Sequence, residues 1–271
     1  MPLLGKTIRM RRIVQQETNS SIICALDHGM TSPKFFYGLS NMCVMVREVI
    51  GGGANTLMLS RNMTQQVVGE IQRDTAVALM LSASAACRPS GPVVTPIASI
   101  ETALQSGADA VVIYMALAGE DEPEMISYLS RVGEACEASG MPLIAEAEYP
   151  NAYQTLDTMQ VKYGSEYLLR NARLCVELGA DLVKVNWPGS PQDLEEIVQA
   201  CQVPIVVAGG VLIKDQELLE RFELARKAGA IGCSVGRNIF QHQNPRAITR
   251  AICRVWRDRW SAVEAYQELL G

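Results

Sequence analysis

Histidine is scarce in this sequence: the chain of 271 residues has only His28 and His242. A metal site built on two or three histidines is therefore hard to assemble, and we expect no metal. The eight cysteines never form a Cys-x-x-Cys motif, and most of them lie inside apolar runs. We interpret them as reduced core residues of a cytoplasmic protein rather than as a disulfide framework or a zinc site.

Long apolar runs and basic blocks are also missing. The longest apolar run, Val203 to Ile213, is too short to span a bilayer and is interrupted by one proline and two glycines. The N-terminus lacks the apolar core of a signal peptide, so we do not expect secretion. The net charge is −5, and the one basic cluster is Arg9, Arg11 and Arg12. We interpret that cluster as the solvated face of a short helical arm, and we expect neither nucleic acid nor a membrane as a partner.

Short apolar runs alternate along the chain with stretches of helical spacing, which predicts a parallel sheet with right-handed crossovers. Eight such units in one domain, residues 1–271, favour a closed (β/α)8 TIM barrel with its core at about 21–255, a short N-terminal arm and one extra C-terminal helix. A doubly wound open sheet is the alternative, although it usually has fewer strands. The predicted strands are Ser21–Asp27, Thr56–Ser60, Ala76–Ala83, Ala110–Met115, Pro142–Glu148, Leu182–Asn186, Pro204–Gly210 and Gly232–Gly236.

A tripeptide that begins Gly-Ala recurs before each even-numbered strand. Its copies start at Gly53, Gly107, Gly179 and Gly229. Glycine suits a left-handed helix C-cap there, and the alanine lets the next strand pack closely. The repeat supports the barrel and carries no chemistry of its own.

Lys184 is the residue that points most directly to chemistry. It lies within an apolar strand, where a charged lysine costs several kcal/mol unless something offsets it. Burial in a barrel can lower the pKa of a lysine, which leaves a neutral amine able to attack a carbonyl and form a Schiff base. The alternatives are a strand-end lysine that reaches solvent, or one paired with a carboxylate such as Asp27.

Other polar residues cluster where predicted strands end, which is where barrel enzymes place their chemistry. Asp27 and Tyr149 are the best candidates for proton transfer, although Asp27 could instead be a helix cap. Because strand residues alternate in direction, His28 is expected to face away from the barrel centre. Glu146 and Glu148 lie on the opposite strand face from Tyr149, so Glu148 could point inward and replace or accompany it.

Glycines follow the seventh and eighth predicted strands, where barrels commonly bind phosphate. They are Gly209, Gly210 and Gly236, and the last is followed by Arg237. No Walker loop is present, and no Gly-x-Gly-x-x-Gly follows a strand, so ATP and NAD are not indicated and we expect no cofactor.

At these residues the chain resembles the archaeal-type class I fructose-bisphosphate aldolases, including the 2-amino-heptulosonate synthases and the autoinducer-2 phosphate thiolases. The resemblance covers nearly the whole chain. Its most specific part is the motif Gly-Arg-Asn-Ile-Phe-Gln at 236–241. The matching stretches are 25–29 (Ala-Leu-Asp-His-Gly), 181–185 (Asp-Leu-Val-Lys-Val), 204–210 (Pro-Ile-Val-Val-Ala-Gly-Gly) and 236–241.

The resemblance implies a metal-independent lyase that makes or breaks a carbon–carbon bond in a phosphorylated ketose. It implies Lys184 as the Schiff-base residue, Asp27 and Tyr149 as proton shuttles, and the three glycines with Arg237 as the phosphate site. It also implies a homo-oligomer. One departure is Asn151, which stands where the family often has arginine. Two alternatives are a coenzyme A-dependent thiolase-like acyltransferase acting on a phosphorylated diketone and a non-catalytic barrel that only binds a sugar phosphate.

Overall fold

Parallel strands dominate the centre of the molecule. The computed structural model describes residues 4–32, 34–84, 87–88, 91–92, 94–150 and 156–271. Eight strands of this part of the chain form a closed barrel, in which each pairs in parallel with the next and β8 pairs with β1. The (β/α)8 prediction is confirmed. The strands are β1 Ser21–Ala25, β2 Thr56–Leu59, β3 Ala76–Met80, β4 Ala110–Met115, β5 Leu143–Ala147, β6 Leu182–Val185, β7 Ile205–Ala208 and β8 Gly232–Val235.

Helices surround the barrel, and several of them begin at a side-chain cap. Asn41, Ser99, Ser190 and Asn244 each accept a hydrogen bond from a backbone N–H in the first turn of the helix that follows. The longest helix is interrupted at Gly164, where φ is 72°. The helices are α1 Leu4–Ile13, α2 His28–Thr31, α3 Met42–Gly52, α4 Arg61–Gln66, α5 Ile100–Gln105, α6 Glu122–Ser139, α7 Leu156–Glu177, α8 Pro191–Cys201, α9 Asp215–Lys227, α10 Arg237–Phe240, α11 Pro245–Trp256 and α12 Ala262–Leu270.

The described part of the chain also contains two 3₁₀ turns and two short antiparallel strand pairs. Two 3₁₀ turns span Tyr37–Leu39 and Val68–Glu70. After β3, Ser82–Ala83 pairs antiparallel with Thr95–Pro96, and Cys87–Arg88 pairs antiparallel with Gly91–Pro92. Among the described helices, none combines the length and the apolar character that crossing a membrane requires.

The core has two layers, and the alternation of strand residues decides which layer a side chain joins. One layer fills the barrel with apolar side chains that include Ile23, Met58, Ala78 and Val206. The other lies between the strands and the helices and is much larger. Residues of inward parity near the carboxyl ends of the strands therefore face a common space inside the barrel.

The Gly-Ala repeat has the structural role expected of it, and its third residue adds another. All four glycines have positive φ, between 69° and 107°. The side chains of Asn55, Asp109 and Asp181 accept the backbone N–H of Ile22, Val77 and Leu143, each at the start of the preceding odd-numbered strand. The repeat therefore ties neighbouring strands together at the amino-terminal end of the barrel.

The N-terminal helix α1 closes that same end, which corrects the interpretation of its arginines. Arg12 donates to Asp109 at 2.6 Å, and Arg9 donates to the carbonyl of Gly140 at 3.0 Å. Ile13, fully buried, belongs to the core inside the barrel. Of the three arginines, only Arg11 fits the predicted solvated face, since the other two bind groups at the bottom of the barrel.

Candidate active site

A cavity of about 90 Å³ opens at the carboxyl ends of the strands. Six of the seven residues that the sequence singled out lie in its lining, although they come from distant parts of the chain. They are Asp27, Lys184, Gly209, Gly210, Gly236 and Arg237. The seventh, Tyr149, does not line it. The lining also includes Ala25, His28, Thr31, Ser32, Phe36, Ser84, Tyr114, Glu146, Glu148, Ala208 and Ser234.

Lys184 is held between two carboxylates. Lys184 is 8% exposed, and its Nζ lies 2.5 Å from Oε1 of Glu146 and 2.8 Å from Oε1 of Glu148. In the parallel register of β5 and β6, Lys184 stands directly beside Glu146. Adjacent positions on neighbouring strands share a face, so the pairing follows from the sheet itself. Lys184 is therefore a paired lysine, and its partners differ from the Asp27 considered on sequence grounds.

This pairing corrects the expectation of a neutral amine. Burial by itself lowers the pKa of Lys184, as expected. The attraction of Glu146, Glu148 and Asp27 acts in the other direction, and together these carboxylates outweigh burial, so the pKa lies above its ordinary value. The amine at rest is an ammonium ion, and it must give up a proton before it can attack a carbonyl.

The three carboxyl groups share this space with a single ammonium group. Burial raises the pKa of Glu146, and the nearby charges of Glu148 and Asp27 raise it further while Lys184 lowers it. Burial likewise raises the pKa of Asp27 to about 6, against an opposing effect of Lys184. A cluster with more carboxylates than cations holds protons near neutral pH, as groups that perform acid–base catalysis do.

Asp27 occupies the N-cap position of α2 without acting as a cap. Its carboxylate accepts no hydrogen bond from the backbone N–H groups in the first turn of that helix, and the residue is 5% exposed. The helix-cap alternative therefore has no contact to support it. The side chain lines the cavity instead, close enough to Lys184 for its charge to raise the pKa of that lysine.

Tyr149 lies outside the cluster, which corrects its expected position beside the lysine. Its ring is buried on the outer face of the barrel, where its hydroxyl donates to the carbonyl of Gly164 at 3.0 Å. It stacks on Tyr167 with a centroid distance of 5.8 Å. Strand alternation is the reason, because Tyr149 shares the outward parity of Ala147. Glu148 points inward, as the same alternation predicted.

The loops after β7 and β8 form the other side of the cavity. Asn238 joins them, since its amide donates to the carbonyls of Gly209 and Val211 and its Oδ1 accepts the N–H of Ile213. Gly210 has φ 70° and faces open space. Arg237 is half-buried, its Nε has no hydrogen bond within the described part of the chain, and desolvation lowers the pKa of its guanidinium.

Packing explains two of the glycines directly. A Cβ at Gly236 would lie 2.3 Å from Cε1 of His28 and 2.7 Å from the carbonyl of Ala25, and one at Gly209 would lie 2.8 Å from Cγ1 of Val235. Both contacts are too close for any side chain. A substitution at either position would therefore disturb the fold as well as any ligand.

Sequence reasoning assigned no role to several residues that line the cavity. His28 was expected to face away from the centre, but the strand ends before it and α2 begins there, so alternation no longer governs its direction. Its ring packs edge-on against Phe36 and Phe240, and burial lowers its pKa to about 3, so it is neutral. Glu146 is the register partner of Lys184 on the neighbouring strand, and Tyr114 is the register partner of Glu146 on the next one. All three side chains therefore point into the barrel, which the predicted order of the strands and their alternation could have indicated.

No group of three histidine, cysteine, aspartate or glutamate side chains that could hold a metal ion occurs in the described part of the chain. Asn151, where the sequence departs from the family pattern, lies outside the described residues.

The chain is similar to two synthases over most of its length. The chain is 32% identical over 250 residues to 2-amino-3,7-dideoxy-D-threo-hept-6-ulosonate synthase 1 of Archaeoglobus fulgidus, covering 92% of this chain and 90% of the other. It is 30% identical over 245 residues to 2-amino-4,5-dihydroxy-6-oxo-7-(phosphonooxy)heptanoate synthase of Streptomyces griseus, covering 90% and 87%.

The fold is also similar to that of a solved aldolase structure. A Schiff-base-forming fructose-1,6-bisphosphate aldolase, known in its reaction intermediates, superposes with a TM-score of 0.81 at 25% identity, covering 93% of this chain and 99% of the other. Residues 21–242 match the DeoC/LacD family of aldolases. That match includes the buried lysine, its carboxylates and both loops of the cavity, and the chain is therefore an aldolase of the DeoC/LacD family.

Proposed function

We propose that this protein makes or cleaves a carbon–carbon bond in a phosphorylated ketose-type substrate, through a Schiff base on Lys184. The observation that carries the proposal is the buried contact of Lys184 with two carboxylates inside the barrel, beside a cavity that also contains Arg237. The first feature suits imine chemistry, and the second suits an anionic substrate group.

The chemistry follows from the charge of an iminium ion. Attack of the Lys184 amine on a ketone and loss of water place a positive charge beside the reacting carbon. In cleavage, that charge accepts the electron pair of the bond between the α and β carbons, which gives an enamine and an aldehyde. In synthesis, the iminium ion loses an α proton to give the same enamine, which attacks the aldehyde carbon. The carboxylates that now face the ammonium ion would face the iminium ion in the same place.

Proton transfer at the substrate hydroxyl falls to Asp27 in this proposal. Its pKa of about 6 allows it to accept and return a proton near neutral pH. Glu148 is a second carboxylate that lines the cavity beside Lys184 and is the alternative group for this role. Tyr149 enters this role only if its side chain leaves the contact with Gly164.

Substrate phosphate would lie against the loops after β7 and β8. Arg237 supplies the charge, and Gly210 leaves open space beside it. The Streptomyces griseus relative is named for a compound with a phosphonooxy group, which supports a phosphorylated substrate or product here.

Reductive trapping tests the proposal. Incubation with dihydroxyacetone phosphate and cyanoborohydride should add one reduced ligand at Lys184, read by intact mass and peptide mapping. Lys184→Met should remove the adduct. Unlabelled wild-type protein, or an adduct that persists in Lys184→Met, would refute the Schiff-base assignment and favour a barrel that only binds its ligand.

A further inference from the structure

Ser234 is a polar residue of the cavity to which the proposed mechanism gives no role. It lies on β8, is 2% exposed, and lines the cavity together with Lys184 and Arg237. Its Oγ is buried and has no hydrogen bond within the described part of the chain. Buried hydroxyl groups are usually paired, because an unpaired one loses its contacts with water and gains none in return. A ligand atom in the cavity can supply the partner that the protein does not.

Strand alternation directs the side chain of Ser234 into the barrel. Its neighbours along β8, Cys233 and Val235, belong to the core between the strands and the helices, so Ser234 faces the opposite way. Its register partner on β7 is Ala208, which also lines the cavity, as does Ala25 on β1. These two alanines have short side chains, and a ligand can therefore approach Ser234 from the cavity.

Ser234 also lies between the two groups that the proposed function assigns to the substrate. Strand β7 is flanked by β8 and by β6, which contains Lys184. Gly236 and Arg237 come directly after the end of β8. The carbonyl of Ser234 accepts the N–H of Gly209, where the loop after β7 begins, at 3.1 Å. A ketone held by Lys184 with its phosphate against Arg237 would therefore pass beside Ser234.

Three other lining residues have a buried polar atom without a hydrogen bond in the described part of the chain, and each is accounted for differently. Oε1 of Glu148 lies 2.8 Å from Nζ of Lys184. Nε of Arg237 is part of the group proposed to bind phosphate. The ring of His28 packs edge-on against two phenylalanines. Ser234 differs from them because its hydroxyl can both donate and accept, which suits a neutral oxygen of a sugar.

We infer that Ser234 is a substrate-binding residue, whose hydroxyl forms a hydrogen bond with an oxygen of the donor ketone at or beside the carbon that Lys184 attacks. The inference rests on the proposed function, since that function places the ketone in this part of the cavity. Dihydroxyacetone phosphate has two such oxygens, the ketone oxygen and the free hydroxyl on the carbon next to it. A serine hydroxyl can bind either one.

Ser234→Ala tests this contact, because it removes the hydroxyl and keeps the backbone bond to Gly209. We expect the second-order rate constant of adduct formation with dihydroxyacetone phosphate, read by cyanoborohydride trapping, to fall by about 2- to 12-fold, the range for one neutral hydrogen bond. The Tm of the protein without substrate should stay the same or rise, because the substitution removes a buried hydroxyl that has no partner.

Ser21→Ala is the matched control. Ser21 has the inward parity of Ile23 on β1, is fully buried and also has an unpaired Oγ, but it does not line the cavity. Its substitution should affect Tm in the same direction and leave adduct formation unchanged. If both variants lose rate alike, or if Ser234→Ala lowers Tm as it loses rate, the hydroxyl has a structural role and the inference is wrong.

Two further donors tell which oxygen Ser234 binds. Hydroxyacetone phosphate lacks the free hydroxyl, so a loss that disappears with this donor identifies that hydroxyl, and a loss that remains identifies the ketone oxygen. Unphosphorylated dihydroxyacetone has both oxygens and should show the same loss as its phosphate ester. A loss confined to phosphorylated donors would assign the hydroxyl to the phosphate site and overturn the inference.

Failure of the proposed function has a different signature. In that case the wild type itself forms no adduct at Lys184 with any of the three donors, and the role of Ser234 falls with it. An adduct in the wild type that is absent from Lys184→Met upholds the Schiff base. If Ser234→Ala then reacts at the wild-type rate with all three donors, only the inference about Ser234 fails.

Discussion

At the scale of single residues, charge pairing decides the state of the site more than burial does. A buried lysine without partners would be neutral, but Lys184 faces carboxylates on the neighbouring strand and just beyond it. Removing one partner of a buried ion pair typically costs about 3–5 kcal/mol, because it leaves the other charge uncompensated. The same carboxylates are thus expected to matter for stability as well as for chemistry.

Asp27 is expected to control the acid side of the pH profile. Its pKa is raised to about 6 by burial, so the ionised form that accepts a proton becomes populated as the pH rises through that value. Asp27→Asn should lower turnover by about 10²–10⁴-fold and abolish the acidic limb near pH 6, while the Schiff base still forms. Steady-state rates and trapping between pH 5 and 9 measure both effects. A loss below about tenfold would assign the shuttle to Glu148 instead.

The same residue should lower stability at neutral pH. An aspartate in the unfolded chain has a pKa near 4. Because the folded value is higher, the stabilisation that the protonated Asp27 provides is complete below about pH 4 and is lost as the pH rises through about 6. Asp27→Asn avoids this loss, so it should unfold with a free energy up to about 3 kcal/mol higher than the wild type at pH 8. Urea unfolding at pH 4.5 and 8 tests the sign, and a difference independent of pH would contradict it.

At the scale of elements, the loops after β7 and β8 are held together before any ligand arrives. Asn238 accounts for this through three hydrogen bonds to the β7 loop. Such preorganisation would let the half-buried Arg237 bind an anion without a rearrangement of the backbone.

Arg237 is expected to select phosphorylated substrates. Arg237→Ala removes a charge-assisted contact worth about 1.5–3 kcal/mol, which corresponds to roughly a 10- to 150-fold rise in KM. The rise should appear with a phosphorylated substrate and be small with its unphosphorylated analogue. Arg11→Ala on the exposed face of α1 is the control. Equal effects on both substrates would place the phosphate elsewhere.

Helix α1 is expected to stabilise the barrel from below. Ile13 is fully buried within the barrel core, whereas Ile8 on the same helix is 54% exposed. Ile13→Ala should lower the free energy of unfolding by about 2–5 kcal/mol, and Ile8→Ala by less than about 0.5 kcal/mol. Because the catalytic cluster lies at the other end of the barrel, kcat of the folded Ile13→Ala protein should be unchanged. Similar losses for the two variants would show that α1 does not close the barrel.

At the scale of the whole molecule, the two ends of the closed barrel differ in the contacts that they contain. The amino-terminal end is tied by Asn55, Asp109 and Asp181, whose side chains accept strand N–H groups. The carboxyl end contains the carboxylates of Asp27, Glu146 and Glu148 with Lys184 and Arg237. This division of stability and chemistry between the two faces is typical of (β/α)8 enzymes.

A metal-free mechanism is the expectation for the molecule as a whole. In the proposed mechanism the iminium ion on Lys184 provides the electron sink that a metal ion would otherwise supply, and the chain has only two histidines to offer as ligands. Prolonged treatment with EDTA should therefore leave kcat and KM unchanged. Loss of activity that zinc restores would contradict this mechanism, and treatment of the Lys184→Met protein serves as the blank.

The sequence by itself determined the order of strands and helices, the position of Lys184 within a strand and the glycine-rich ends of β7 and β8. These features depend on local periodicity, turn residues and strand direction, which a short stretch of chain already contains. Strand alternation also placed Glu148 on the opposite face from Tyr149, and so allowed it to point inward.

Only the tertiary structure decided which groups meet. Lys184 and Glu146 are 38 residues apart, and their contact depends on the register between two strands. The ammonium state of the lysine follows from that contact. The direction of His28 depends on the helix that begins there, and the contacts of Arg9 and Arg12 depend on where α1 docks. Register and docking are set by packing of the whole barrel, and no local pattern in the chain encodes them.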